Sequence, residues 1–451
     1  MAKQKNIQLK SIIDLYKSLP MKSISFLLFL VVAVLLVFHP ILKNDFLYSW
    51  DDQWVVMNQY TTGGWSVSNI FHIFFDFYHG QYAPFNEISY LILYSFFGYD
   101  PLHFHLASLL YHIANTVLVF VFIRKLLLLS NTEKKEDINF ISFITALLFA
   151  VHPVNVESVA WVSASKVLVY TLFYLFGLIC YLKYVITRNI IYYIITLLLF
   201  IFSFWGKEQA VTFPVCLLLI DYFIKKDMRG KNCWIEKLPF FVLSLFFGLV
   251  TVLSQEDGGG APIYPLGQRL VFACYTLIEY FTKAIFPVNL SYLYPFPIQP
   301  GESLPLRFWI YPLIVIALLV WIYSIKSKKI LVFCTLFFIL HVSVALHLIS
   351  LSRFAIVADR YLYVGIIGIA FLISTLIFHL KNRWHIQPTK WRILLFVILL
   401  YISYNCIYTF QYCHDWNNTN SLKKHIRELI DSRRNLLQNK DGIMLTQQLP
   451  E

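Results

Sequence analysis

Two adjacent carboxylates, Asp51 and Asp52, follow a tryptophan in Ser49-Trp50-Asp51-Asp52, just beyond the first hydrophobic run of the chain. In water both ionise. Close together near an apolar surface, one has its pKa raised and serves as a base near neutral pH. The plainer alternative is a solvated turn or a helix N-cap, since adjacent acids are common.

Four more segments carry groups of the kind chemistry needs. His152-Pro153-Val154-Asn155-Val156-Glu157 and then Lys166 form a polar stretch between two hydrophobic spans. It reads either as a substrate-facing loop or as a helix connection held by His152 and Asn155. Gly206-Lys207-Glu208-Gln209 is a compact polar link. There Lys207 either meets a phosphate as a point charge or pairs with Glu208 to cap the next helix. Arg353 and Asp359-Arg360-Tyr361 offer bidentate anion recognition, with a structural Asp–Arg pair or a snorkelling arginine as the rival. His103, His105 and His112 have no zinc-site spacing and sit among Phe104 and Leu106, so they read as packed histidines.

The elements that position these groups are hydrophobic. Of 451 residues, 58% are hydrophobic and 14% charged, where a soluble protein carries about a quarter charged. Runs of roughly 18 or more apolar residues recur, which predicts an all-α polytopic membrane protein. Spans are expected near 23–42, 101–123, 138–151, 168–186, 190–205, 210–224, 238–254, 308–325, 330–349, 361–380 and 393–411. Eleven crossings place the C-terminus outside. The first span follows Lys3, Lys5, Lys10, Lys17 and Lys22 and reads as an uncleaved anchor with a cytoplasmic N-terminus.

Charge supports that order. Basic clusters such as Lys225-Lys226, Lys231 and Lys326 to Lys329 fall inside, whereas Lys43, Lys166, Lys207, Arg269, Lys283, Arg307, Arg353 and Arg360 are isolated outside. This asymmetry accounts for much of the net charge of +12 and leaves no call for nucleic acid. Two outside loops are long, about 43–100 and 255–307. The first contains Ile70-Phe71-His72-Ile73-Phe74-Phe75, read as an interfacial helix. The second begins with the turn Glu256-Asp257-Gly258-Gly259-Gly260 and continues into an apolar helix near 269–286, read as lying on or dipping into the bilayer. The seven cysteines form no CxxC pair and read as small core residues. There is no Walker motif, no GxGxxG and no HExxH.

Taken in order, the motifs resemble a known family. Phe46-Leu47-Tyr48-Ser49-Trp50-Asp51-Asp52 resembles the first-loop aspartate motif of membrane-embedded sugar transferases. Tyr82-Ala83-Pro84-Phe85 and Phe97-Gly98-Tyr99-Asp100-Pro101-Leu102-His103-Phe104-His105 resemble the next blocks. His152 to Trp161, Gly206 to Thr212, Phe286-Pro287-Val288-Asn289-Leu290-Ser291 and Ala358 to Tyr363 resemble later ones. The set is similar to the transmembrane and tetratricopeptide-repeat O-mannosyltransferases and their bacterial relatives, of the GT-C superfamily, over about residues 45–420.

The resemblance implies a polyprenyl-phosphate-linked sugar as donor and inverting transfer to an acceptor hydroxyl, on a protein or a glycan, at the outer face of the membrane. It assigns the role of base to Asp51, with Asp52 as alternative or partner. It implies that cations meet the leaving phosphate, for which Lys166, Lys207, Arg269 and Arg360 are the outside candidates. His152 and Glu157 would orient the sugar or acceptor, and Glu208 and Asp359 fall within the matching blocks. No cofactor is called for. A divalent cation, Mg or Mn, serves some of the superfamily and not others; Asp51 with Asp52 could hold one, but no further ligand is evident.

There are departures. The block from Ser163 to Val167 lacks an acidic residue and an arginine expected in many relatives. His414-Asp415-Trp416-Asn417-Asn418-Thr419 resembles the start of the repeat region, but about 30 residues follow, too few for a repeat array. The expected organisation is therefore a catalytic membrane domain over 1–411 and a short outside tail over 412–451, in a bacterial inner membrane. The rival functions are a flippase or transporter for lipid-linked sugars and a non-catalytic scaffold.

Overall fold

A computed structural model describes residues 21–130, 135–226, 230–256, 264–324, 328–348, 355–383 and 388–429. Arg353, Lys326, the Asp257-Gly258-Gly259-Gly260 turn and the end of the tail lie outside these residues. The fold is almost wholly helical, as the apolar periodicity requires. The long helices are Met21–Phe38, Pro101–Ser130, Lys135–Ala150, Lys166–Thr187, Ile190–Gly206, Phe213–Phe223, Leu238–Glu256, Leu266–Ile285, Ile310–Ser324, Lys329–Val342, Gly365–Arg383 and Pro388–Asp415.

Seven of the described segments are long and apolar enough to cross a membrane, which makes this a multi-pass membrane protein: Ser23–Lys43, Pro101–Ser130, Val162–Thr187, Cys233–Ser254, Leu306–Ser324, Gly365–Arg383 and Pro388–Asp415. Asp137–Ala150 joins Pro153–Ala160 across a 53° bend and counts as one more if taken together. Ile190–Gly206 and Lys329–Ala345 are shorter apolar helices. The helix within the expected 210–224 span is only Phe213–Phe223, because the chain first makes a 3-10 turn, Glu208–Thr212. Pro214 then fits the first helical turn, where a missing N–H leaves no bond unmade.

Apolar side chains on many helices face outward, which is how a lipid-facing surface is built. Ile310–Ser324 has no buried residue at all. Inside, close packing depends on small residues. A Cβ on Gly206 would lie 2.8 Å from the backbone N of Tyr170, and one on Gly368 would lie 2.7 Å from the Cys334 carbonyl oxygen. His112 joins three elements, with Nδ1 2.7 Å from the Tyr363 hydroxyl and Nε2 3.0 Å from the Ala150 carbonyl oxygen.

The helix Lys166–Thr187 sets the two ends of the bundle. At its far end, buried Lys237 meets buried Asp221 at 2.5 Å and exposed Arg188 meets Glu236 at 2.9 Å, so an ion network running from core to surface ties several helix termini together. At its near end, Lys166 meets the first long loop through Gln81. The first loop folds into Asp52–Val55, Gln59–Thr62, Val67–Phe75 and Pro84–Phe97. Val67–Phe75 buries Ile73 and exposes Phe71 and Phe75, the one-sided pattern of an interfacial helix. The second loop carries Leu266–Ile285 and a short strand, Tyr294–Pro295, paired antiparallel with Ala355–Val357. That pairing delivers Asp359 and Arg360 to the near end. The described start of the tail, up to 429, packs onto the bundle: Asp45 N–H donates to the Asn417 carbonyl at 2.7 Å, and Trp416 is fully buried.

Candidate active site

Asp51 and Asp52 start the four-residue helix Asp52–Val55, and the turn sends their side chains to different places. Asp52 is 1% exposed. Its Oδ2 accepts from Leu47 N–H at 2.8 Å. Its Oδ1 accepts from Ser163 N–H at 2.9 Å and from the Ser163 hydroxyl. Burial pushes its carboxyl up to about 6 against the pull of these bonds, and Asp51 adds to the rise. Asp51 is half-buried. Desolvation raises its pKa, while Lys166, Arg360 and a hydrogen bond from Trp54 oppose the rise.

Arg360 stands across from Asp51. Its backbone N–H donates to Glu157 Oε2 at 2.9 Å and its Nη1 donates to Glu157 Oε1. Its guanidinium lies 5.4 Å from the Trp161 ring centre, 5.9 Å from Tyr292 and 5.3 Å from Tyr361. Glu157 is fully buried and Arg360 keeps a partly exposed side chain, so the pair presents a cation on an aromatic floor. Trp50 completes that floor, 4.8 Å edge-on to Tyr292. The Glu157 charge raises the Arg360 pKa further, against desolvation.

Two lysines join this cation. Lys166 Nζ donates to Gln81 Oε1 at 2.6 Å. Lys207 is 2% exposed and its Nζ lies 4.7 Å over the Tyr361 ring. Burial pulls Lys207 down to about 7; Glu208 and Glu157 oppose this, whereas Lys166 and Arg360 reinforce it. Asp51, Glu157, Lys166, Lys207, Glu208 and Arg360 therefore share one electrostatic neighbourhood where the loops meet the helix ends.

Three expected site residues are engaged elsewhere. His152 Nε2 donates to the Ala284 carbonyl at 3.2 Å and Nδ1 accepts from Val154 N–H, so both ring nitrogens hold backbone and none is left to orient a sugar. Arg269 donates to the Leu348 carbonyl at 3.0 Å instead of joining the other cations. Asp359 turns away from Arg360: its Oδ2 accepts from the Tyr294 hydroxyl at 3.0 Å, and burial raises its pKa against the pull of Lys283. The adjacent acid and base thus have separate partners and form no Asp–Arg pair.

The sequence reading did not single out Glu87, Gln81, Trp54, Tyr292 or the Asp52 role of Ser163. Glu87 Oε2 accepts from Asn58 Nδ2 at 3.0 Å, and desolvation pushes its carboxyl up to about 7. It lies two positions beyond the Tyr82-Ala83-Pro84-Phe85 block, whose proline starts its helix. His103 pairs with Asp100 at 2.8 Å and stacks on Phe97, away from His112. Among the described residues no three His, Cys, Asp or Glu side chains are arranged to hold a metal ion. Asp52 gives both oxygens to protein donors, so the acidic pair does not fit a divalent site.

No family model matches the chain. It is 31% identical over 221 residues to the protein O-mannosyl-transferase tmtc2 of Xenopus laevis, covering 44% of this chain and 24% of that protein. It is 29% identical over 197 residues to the human protein O-mannosyl-transferase TMTC2, covering 42% and 22%. Against the protein O-mannosyl-transferase F38B6.6 of Caenorhabditis elegans it is 27% identical over 221 residues, covering 48% and 30%. The chain spans about a quarter of the length of the curated relatives it matches. On these matches the chain is a distant relative of the protein O-mannosyl-transferases.

Proposed function

We propose that this chain is a GT-C type glycosyltransferase that moves a hexose, mannose or similar, from a polyprenyl-phosphate donor to an acceptor hydroxyl, with inversion, at the outer membrane face. The observation that carries the reading is the placement of Asp51, half-buried and within the field of Lys166 and Arg360. A raised pKa suits a carboxylate to general-base work near neutral pH. Asp51 takes the proton of the acceptor hydroxyl, whose oxygen bonds the anomeric carbon. The bond from that carbon to the phosphate oxygen breaks, and its electron pair leaves with the lipid phosphate. Arg360, Lys166 and Lys207 offset the charge gathering there. Glu157 aims Arg360, and Asp52 fixes the turn that carries Asp51.

The names of the relatives support a protein serine or threonine as acceptor, with a glycan or lipid hydroxyl as the alternative. The site residues lie at helix ends and in loops, whereas a transporter of lipid-linked sugars would place ionisable groups at mid-bilayer on broken helices. The charge pattern supports a cytoplasmic N-terminus and an outside C-terminus; in this reading the catalytic unit runs over 1–411, the tail starts at 412, and the membrane is a bacterial inner membrane.

The test is transfer of radiolabelled sugar from defined polyprenyl-phosphate sugars in membranes holding wild type, Asp51→Asn or Asp52→Asn. Transfer by wild type that Asp51→Asn abolishes at unchanged protein level supports the reading. No transfer from any donor by folded, abundant protein moves the assignment to a transporter or scaffold.

A further inference from the structure

A pocket lies next to the catalytic cluster. Its walls include Trp54, Tyr60, Tyr78, Gln81, Tyr82 and Glu87. We infer that this pocket is a subsite for the transferred pyranose, seating one ring hydroxyl or hydroxymethyl group against Glu87 while the ring lies on the neighbouring aromatic faces. The inference rests on the transferase reading and names where that enzyme would hold its sugar.

Three observations carry it. The cavity volume is about 20 Å³, room for one water-sized group, so a hydroxyl fits and a whole ring stays at the open side. The walls combine aromatic rings with a few polar groups, the usual make-up of a small-molecule site. The polar groups are held in place: Asn58 accepts at Oδ1 from Tyr60 N–H and Thr61 N–H at 3.0 Å, and its Nδ2 grips Glu87 Oε2. That grip fixes the carboxyl and leaves its other oxygen for a ligand. Burial keeps the Glu87 proton up to about pH 7, so the group both donates to and accepts from a hydroxyl.

The pocket also connects with the proposed base. Trp54 lines it and bonds Asp51; Gln81 lines it and receives Lys166. A sugar held here is one side chain away from both the base and a cation.

The experiment uses the full chain in detergent and methyl α-D-mannopyranoside as probe, read by saturation-transfer NMR. Glu87→Leu should weaken binding at least tenfold, Glu87→Gln should restore most of it, and Tyr78→Ala, at a half-exposed position, should weaken it severalfold. Should Glu87→Leu fail to fold, Tyr78→Ala decides. Unchanged binding in the folded variants overturns the subsite. So does no binding of any pyranoside by wild type, or displacement by a serine-containing peptide with no pyranoside binding. Pyranoside binding lost in these variants, by a chain that transfers no sugar, leaves the subsite standing and removes the transferase reading. Transfer unaffected by Glu87→Leu and Tyr78→Ala removes the subsite alone.

Discussion

Asp52 receives both the backbone N–H and the hydroxyl of Ser163, a residue 111 positions along the chain. This clasp joins the first long loop to the start of the Val162–Thr187 span. With Leu47 it occupies the Asp52 carboxylate and leaves Asp51 as the acid on the open side.

The two aspartates should therefore fail in different ways. Asp51→Asn is expected to lower transfer by about 10²- to 10⁴-fold, the range of a lost general base, with unchanged thermal unfolding. Asp52→Asn turns an amide towards N–H donors in a buried place, and should destabilise by about 1–3 kcal/mol. Unfolding in detergent can be followed by a thiol-reactive dye, since Cys180, Cys216, Cys233, Cys334 and Cys413 are buried. Equal stability of the two variants would refute the division of roles.

Lys207 supplies a pH signature. Its folded pKa is pulled from 10.5 to about 7, so it is a cation below that pH and neutral above it. If it meets the leaving phosphate, kcat/KM should fall as pH rises through about 7. Lys207→Arg should remove that limb, because arginine keeps its charge. Stability moves the other way. Between about 7 and 10.5 the unfolded chain binds more protons at this lysine than the folded one, so this group makes folding more favourable as pH rises. Loss of activity over that range would not be loss of fold. An alkaline limb unmoved in Lys207→Arg would exclude the assignment.

Much of this arrangement was legible in the sequence. Seven expected spans contain helices long and apolar enough to cross, because twenty apolar residues have few other fates. The acidic pair drew attention to Asp51, and isolated charge near span ends to Lys166, Lys207 and Arg360, which the structure brings into one electrostatic neighbourhood. Their partners were not, because a hydrogen bond between Asp52 and Ser163 depends on how the loop returns, which no local pattern encodes. Glu87 looked like one acid in an apolar stretch until Asn58 was seen to hold it. His152 was open to two readings, a substrate-facing loop with Glu157 and Lys166 or a helix connection held with Asn155; its two nitrogens hold backbone at the bend between two helices, as the second describes.

The Glu157–Arg360 pair should behave as a unit. Glu157→Ala leaves a half-buried guanidinium without its carboxylate, a change that costs about 3–5 kcal/mol in buried pairs. Arg360→Lys keeps a charge but loses the planar contact to Trp161, Tyr292 and Tyr361, and transfer should drop well before stability does. A double-mutant cycle in which the two effects simply add would show that the pair is not coupled.

Gly206 offers a steric test of how the cation is placed. It ends the Ile190–Gly206 helix and immediately precedes Lys207. An added Cβ would lie 2.8 Å from Tyr170 N and 2.9 Å from Tyr170 Cα. Both are backbone atoms within a helix and cannot swing aside, so Gly206→Ala must push the two helices apart. Overpacking of this kind costs about 1–3 kcal/mol. The shift also opens the packing around Lys207 and lifts it off the Tyr361 ring, relieving its desolvation, so its pKa should rise. The expected result is lower thermal stability together with an alkaline limb displaced to higher pH in the transfer profile. Lower stability with the limb unmoved would mean that the contact at Gly206 supports the bundle but does not set the position of Lys207.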